Sequence, residues 1–122
     1  MKVTQRTVVA VVLAGIAGTL INTLAIAAVL GADKLALALA PGRYGVAIAV
    51  AALIPAALAL IERRAALVVA GLLLTAIPSL LAKLAFGSGA PWGLVLALNA
   101  VYAFAAIAVY LAAAGGGKAA RR

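Results

Sequence analysis

Thr75, Ser79 and Lys83 stand four residues apart in the apolar run 72–86, LLLTAIPSLLAKLAF. A helix would stack them along one face, with Pro78 among them lacking an N–H to donate. Asn22 and Asn99 sit in equally apolar surroundings, Asn22 between Thr19 and Thr23, and Asn99 three residues before Tyr102. Amides and hydroxyls of this kind can bond to one another or line a pocket for a polar solute or ion. Acid–base or redox chemistry needs other groups. The chain has no Cys and no His, and its only carboxylates are Asp33 and Glu62. A thiolate metal site, a disulfide and a redox dithiol are excluded. Histidine-ligated haem or zinc has no obvious ligand. An enzyme working through a paired acid and base finds neither partner. No catalytic residue, metal or cofactor is expected.

The surroundings of these polar residues define the fold class. Of 122 residues, 69% are hydrophobic, and the mean hydropathy is +1.31. A soluble domain is roughly half apolar, so part of this surface must be covered by lipid. Four apolar runs, at about 7–30, 44–61, 65–86 and 93–113, lie between clusters of charge. Each has about the 20 residues a spanning helix needs. The first is longer than a signal-peptide core of roughly 7–15 residues, and retention as a helix is expected. The expected fold is all-α: one domain over 1–122, an integral membrane bundle of four transmembrane helices running up-down-up-down. Its outer connection would cover 31–43 and its basic tail 114–122.

Lys and Arg counts orient it. Lys2, Arg6, Arg63, Arg64, Lys118, Arg121 and Arg122 fall on one side, and only Lys34, Arg43 and Lys83 on the other. The richer side faces the cytoplasm, so both termini are expected there. The alanine-rich composition suggests a bacterial source and hence the cytoplasmic (inner) membrane. The net charge of +8 is explained by topology rather than by nucleic acid. The tail GGGKAARR could attract anionic headgroups, at about 1 kcal/mol per charge near the surface. In the turn GSGAPW, Trp92 suits the interfacial aromatic belt.

Depth follows from the helical rise of about 1.5 Å per residue. Asn22 lies about 12 Å below the outer end of its helix, Ser79 about 10 Å and Asn99 about 9 Å. Three helices therefore place polar groups in one layer of the outer leaflet, with Thr19, Thr23, Thr75 and Tyr102 close by. Two roles fit. Interhelical hydrogen bonds, common in membrane bundles and averaging about 0.6 kcal/mol each, would make the layer structural. An outward-facing pocket would instead use Asn22 and Asn99 on a ligand, with Lys83 at its mouth. Lys83 is about 5 Å from its helix end, and its stem can snorkel to the interface.

Pro55 and Pro78 should kink their helices, and Thr75 is placed to satisfy the carbonyl that Pro78 frees. Small residues mark packing faces: Ala14 and Gly18 in the first helix, Ala47, Ala51, Pro55 and Ala59 in the second, and Ala103 and Ala106 in the fourth. Small faces let backbones approach closely, and their abundance suggests packing against copies of the chain or other membrane subunits. AGIAGTLINTL (14–24) also echoes AGLLLTAIPSL (70–80) at an offset of 56. A parallel two-plus-two internal repeat of the kind found in some transporters would produce this echo.

In size and helix count the chain looks like small multidrug exporters, but the glutamate inside their first helix has no counterpart here. It also resembles small fluoride channels in helix count, without their phenylalanine and asparagine constellation. The runs GTLINTLAIAAVLG (18–31), ALIPAALALIERR (52–64) and LLLTAIPSLLA (72–82) resemble small four-helix bacterial membrane proteins known as a domain of unknown function. That resemblance implies a membrane bundle and no activity. The expectation is a non-enzymatic accessory subunit in a larger complex. The first alternative is a small homo-oligomeric transporter or channel using the polar layer, and a third class is a lipid-binding or assembly-factor protein using the apolar outer loop.

Overall fold

The computed structural model describes residues 5–30, 41–85 and 91–115. They are helical almost throughout, and four helical stretches are long and apolar enough to cross a membrane: Gln5–Ala28, Gly42–Leu60, Arg63–Leu84 and Trp92–Ala114. This is the make-up of a multi-pass membrane protein. Helix α1 (Gln5–Leu30) is the first span. Helices α2 (Pro41–Ala51) and α3 (Leu53–Leu60) share the second, and α4 (Arg63–Leu80) with a π-helical turn (Leu81–Ala85) makes the third. Helix α5 (Trp92–Gly115) is the fourth. The connections 31–40 and 86–90 and the tail 116–122, with its expected lipid attraction, lie outside the described residues.

The second span begins at Pro41, not at residue 44. Proline suits a first helical turn because its φ is already helical and its missing N–H is not needed there. Arg43 therefore lies inside a helix rather than in the outer connection, a correction that matters below. The same span breaks at Ala52, whose N–H is shared between Ile48 O at 3.2 Å and Ala49 O at 3.3 Å. Pro55 causes the break, having no N–H for the Ala51 carbonyl and crowding the preceding turn. Between α3 and α4 only Ile61 and Glu62 remain outside helix. The Glu62 carboxylate accepts from Ala65 N–H at 2.6 Å, capping a helix N-terminus that favours negative charge.

Pro78 lies within α4, and the helix widens into its π turn three residues later. The Thr75 hydroxyl donates to Gly71 O at 2.8 Å and the Ser79 hydroxyl to Thr75 O at 2.7 Å. Thr75 is thus engaged one turn earlier and does not serve the Leu74 carbonyl that Pro78 leaves without its usual donor, contrary to the sequence expectation.

Helix α1 packs chiefly on α5 and α2, and α4 on α5 and α3. The inward stripe of α1 is Ala10, Ala14, Gly18 and Asn22 beside Val11, Gly15, Thr19 and Thr23, all buried. Its large residues, Leu13, Leu20 and Leu24 among them, are exposed. Lipid tails are as apolar as leucine, so no hydrophobic force draws leucines inward, and close backbone packing selects small residues instead. Of the small residues singled out above, Ala14, Gly18, Ala47, Ala51, Pro55, Ala103 and Ala106 are buried within the single chain, while Ala59 is exposed. These faces are therefore used largely inside the bundle.

A Cβ added at Gly15 would meet Ile48 Cα at 2.7 Å and Ile48 N at 2.8 Å, and one at Gly18 would meet the Tyr102 ring at 2.6 Å. At Gly71 the nearest atom is Ile107 Cδ1 at 3.8 Å. Replacing Gly15 by Ala should lower stability by about 1–3 kcal/mol, because backbone cannot yield as a side chain can. Gly71→Ala should gain up to about 1 kcal/mol of helix propensity. Reversible unfolding in mixed micelles measures both, and equal behaviour of the two variants would contradict the close approach of α1 to α2.

Candidate polar site

The first-turn position of Arg43 sends its guanidinium to α1. Arg43 Nη1 donates to Thr23 Oγ1 at 2.6 Å, and Nη2 to Asn22 Oδ1 at 2.7 Å. A planar fork suits two acceptors on adjacent residues, which a lysine could not bridge in the same way. The Asn22 amide then donates across to Leu98 O on α5 at 2.7 Å. The next residue, Asn99, donates to Ser79 Oγ on α4 at 3.0 Å. A line of hydrogen bonds thus joins the second span to the first, the first to the fourth and the fourth to the third.

The expected polar layer is brought together in this way, although Asn22 and Asn99 serve different partners. Thr23 and Ser79 are acceptors in it. Thr19 turns back on its own helix, donating to Gly15 O at 2.8 Å. Tyr102 does not join Asn99; its hydroxyl crosses the bundle to Ala47 O at 2.6 Å. Its ring lies over Gly18, which explains why a glycine is needed there. Among the described residues no buried side-chain nitrogen or oxygen is left without a hydrogen-bond partner. In hydrocarbon, where water cannot compensate, each unmet group would be costly.

Lys83 stands apart from the line. Its Nζ lies 5.6 Å from the centre of the Trp92 ring, within cation–π range. Lys83 and Trp92, expected separately at the membrane interface, are therefore partners. No group of three or more His, Cys, Asp or Glu that could hold a metal occurs among the described residues.

Arg43 is the residue the sequence failed to assign. It had been counted as a loop charge, yet two signals were present. Pro41 marks a helix start, and Arg43 lies 56 residues before Asn99, the spacing that also separates Thr23 from Ser79. The bonds Arg43 to Thr23 and Asn99 to Ser79 therefore fall at matching positions. So do the back-bonds of Thr19 to Gly15 and of Thr75 to Gly71.

Asn22→Leu should be the most damaging change in the layer, at about 2–4 kcal/mol, since it removes two bonds and strips a partner from a half-buried cation. Asn99→Leu removes a single interhelical bond and should cost about 0.6 kcal/mol, at most roughly 1.7. Chemical unfolding in micelles ranks them, and the reverse order would break the assigned network. No protein-family model matches the chain, and neither a curated protein nor a solved structure matches it.

Proposed function

We propose that this chain is a non-enzymatic membrane subunit, an up-down-up-down bundle of two repeated hairpins that acts by packing against other membrane proteins. The observation that carries the proposal is the engagement of the whole polar layer between its own helices. Groups paired across helices in this way favour a structural role, in which the layer fixes helix register, over passage of a solute. What the bundle offers outward is apolar: Leu13, Leu20 and Leu24 on α1, Leu60 on α3, and Val68 and Leu72 on α4.

The antiparallel order is supported by contacts that run in opposite directions along neighbouring helices. Gly15 meets Ile48 while Thr23 meets Arg43. Gly18 meets Tyr102 while Asn22 meets Leu98. The paired bonds at an offset of 56 support the repeat. The excess of Lys and Arg at the α3–α4 turn and at both termini supports cytoplasmic ends.

Most of the small-residue faces are used inside the bundle, so a partner would read mainly the larger apolar side chains. Purification of the chain in mild detergent from its native membranes, followed by measurement of particle mass, tests this. A fixed-ratio complex with a larger membrane protein is expected. A stable homo-oligomer that moves solute across liposomes, with flux abolished by Asn22→Leu in a folded protein, would overturn it in favour of a transporter.

A further inference from the structure

The repeat exposes one place where the two halves differ. Gly15 lets α1 close onto the Ile48 backbone, whereas at the matching Gly71 the α4–α5 seam stands open. The opening is a groove of about 490 Å³ whose walls include Val68, Gly71 and Thr75 on α4 and Ala100, Phe104 and Ala108 on α5. Phe104 and Val68 flank it, 79% and 62% exposed. The Thr75 hydroxyl, the one side-chain polar group in its lining, already donates to Gly71 O. With its proton so engaged, Thr75 leaves the walls almost wholly apolar, so the groove suits a hydrocarbon chain.

Charge says what that chain carries. Arg64, Val68, Gly71 and Thr75 follow the i, i+4, i+7, i+11 spacing of one helix face. Arg64 thus stands on the groove side of α4, about 6 Å along the axis beyond Val68. Arg63 and Arg64 are both exposed at the first turn of α4, where the helix dipole also favours an anion. Glu62 beside them is the single opposing charge, and its carboxylate is held by Ala65 N–H. Two cations over one end of a hydrocarbon groove match a lipid with an anionic headgroup.

We infer that the α4–α5 groove binds one acyl chain of an anionic phospholipid whose phosphate is held by Arg63 and Arg64. This site does not depend on the accessory-subunit proposal, since lipid binding can be read on the isolated chain.

Native mass spectrometry of the full chain, released from micelles holding equal phosphatidylglycerol and phosphatidylcholine, tests it. One retained phosphatidylglycerol per chain is expected, preferred about fivefold or more, the factor that one surface cation contributes. The double variant Arg63→Gln/Arg64→Gln should lose that preference. Gly71→Leu and Ala108→Leu fill the groove from opposite walls, and each should lower total lipid retention about fivefold or more. Should one fail to fold, the other carries the test. Equal retention of the two lipids by the unaltered chain would overturn the inference, as would groove-filled variants that hold lipid normally. So would disulfide cross-linking of Phe104→Cys, in a chain that has no other Cys, to a second copy or to another protein, because the groove would then hold a helix.

Discussion

Inside a bilayer no water is available to complete a broken hydrogen bond, and this constraint governs the bundle. Once Asn22, Asn99, Ser79 and Arg43 are placed in helices, they must find one another or pay heavily in free energy. The line from Arg43 through Thr23 and Asn22 to Leu98 O, and from Asn99 to Ser79, is the solution this chain adopts. A shift of any helix by one turn, about 5 Å, would separate these partners. Individually modest bonds thus select one register from many that apolar packing alone would tolerate.

Packing makes that line possible. The hydrogen bonds need backbones near one another, and Gly15, Gly18, Ala14 and Ala106 supply the proximity by having little side chain. Tyr102 adds a second tie, filling the space above Gly18 and reaching the Ala47 carbonyl across the bundle. The carbonyl it meets is on α2, the helix that also carries Arg43. The prolines contribute by position: Pro41 starts that helix, and Pro55 interrupts its span one turn beyond Ala51.

The four spans were legible because twenty apolar residues in a row have few other uses, and their expected limits fall within a few residues of the helices. The inward stripe of α1 was visible in part, as Ala14 and Gly18. Asn22, Thr23, Ser79 and Asn99 were legible as members of the polar layer, since rise per residue fixes depth. Rotation about the helix axis is not fixed by depth, and so the pairing was missed: Tyr102 turned to Ala47 rather than Asn99, and Lys83 to Trp92. Arg43 was misplaced because Lys and Arg at the edge of an apolar run ordinarily mark the interface, and its fork to two adjacent acceptors is a tertiary fact. The role of the small residues was legible only in part, for a similar reason. A count of small residues does not tell how closely four helices will approach, and here they bury Ala14, Gly18, Ala47, Ala51, Ala103 and Ala106 while Ala59 stays exposed.

The central claim is that the polar layer is closed to water and solute, and the absence of native Cys makes it directly measurable. Ser79→Cys is nearly isosteric, and Ser79 has no exposed surface. A water-soluble thiol reagent applied to the folded variant in micelles should leave Cys at 79 unmodified until SDS unfolds it, while Arg63→Cys reacts at once. Modification of position 79 in the folded protein at a rate near that of position 63 would show a solvated cavity where the hydrogen-bonded layer has been placed.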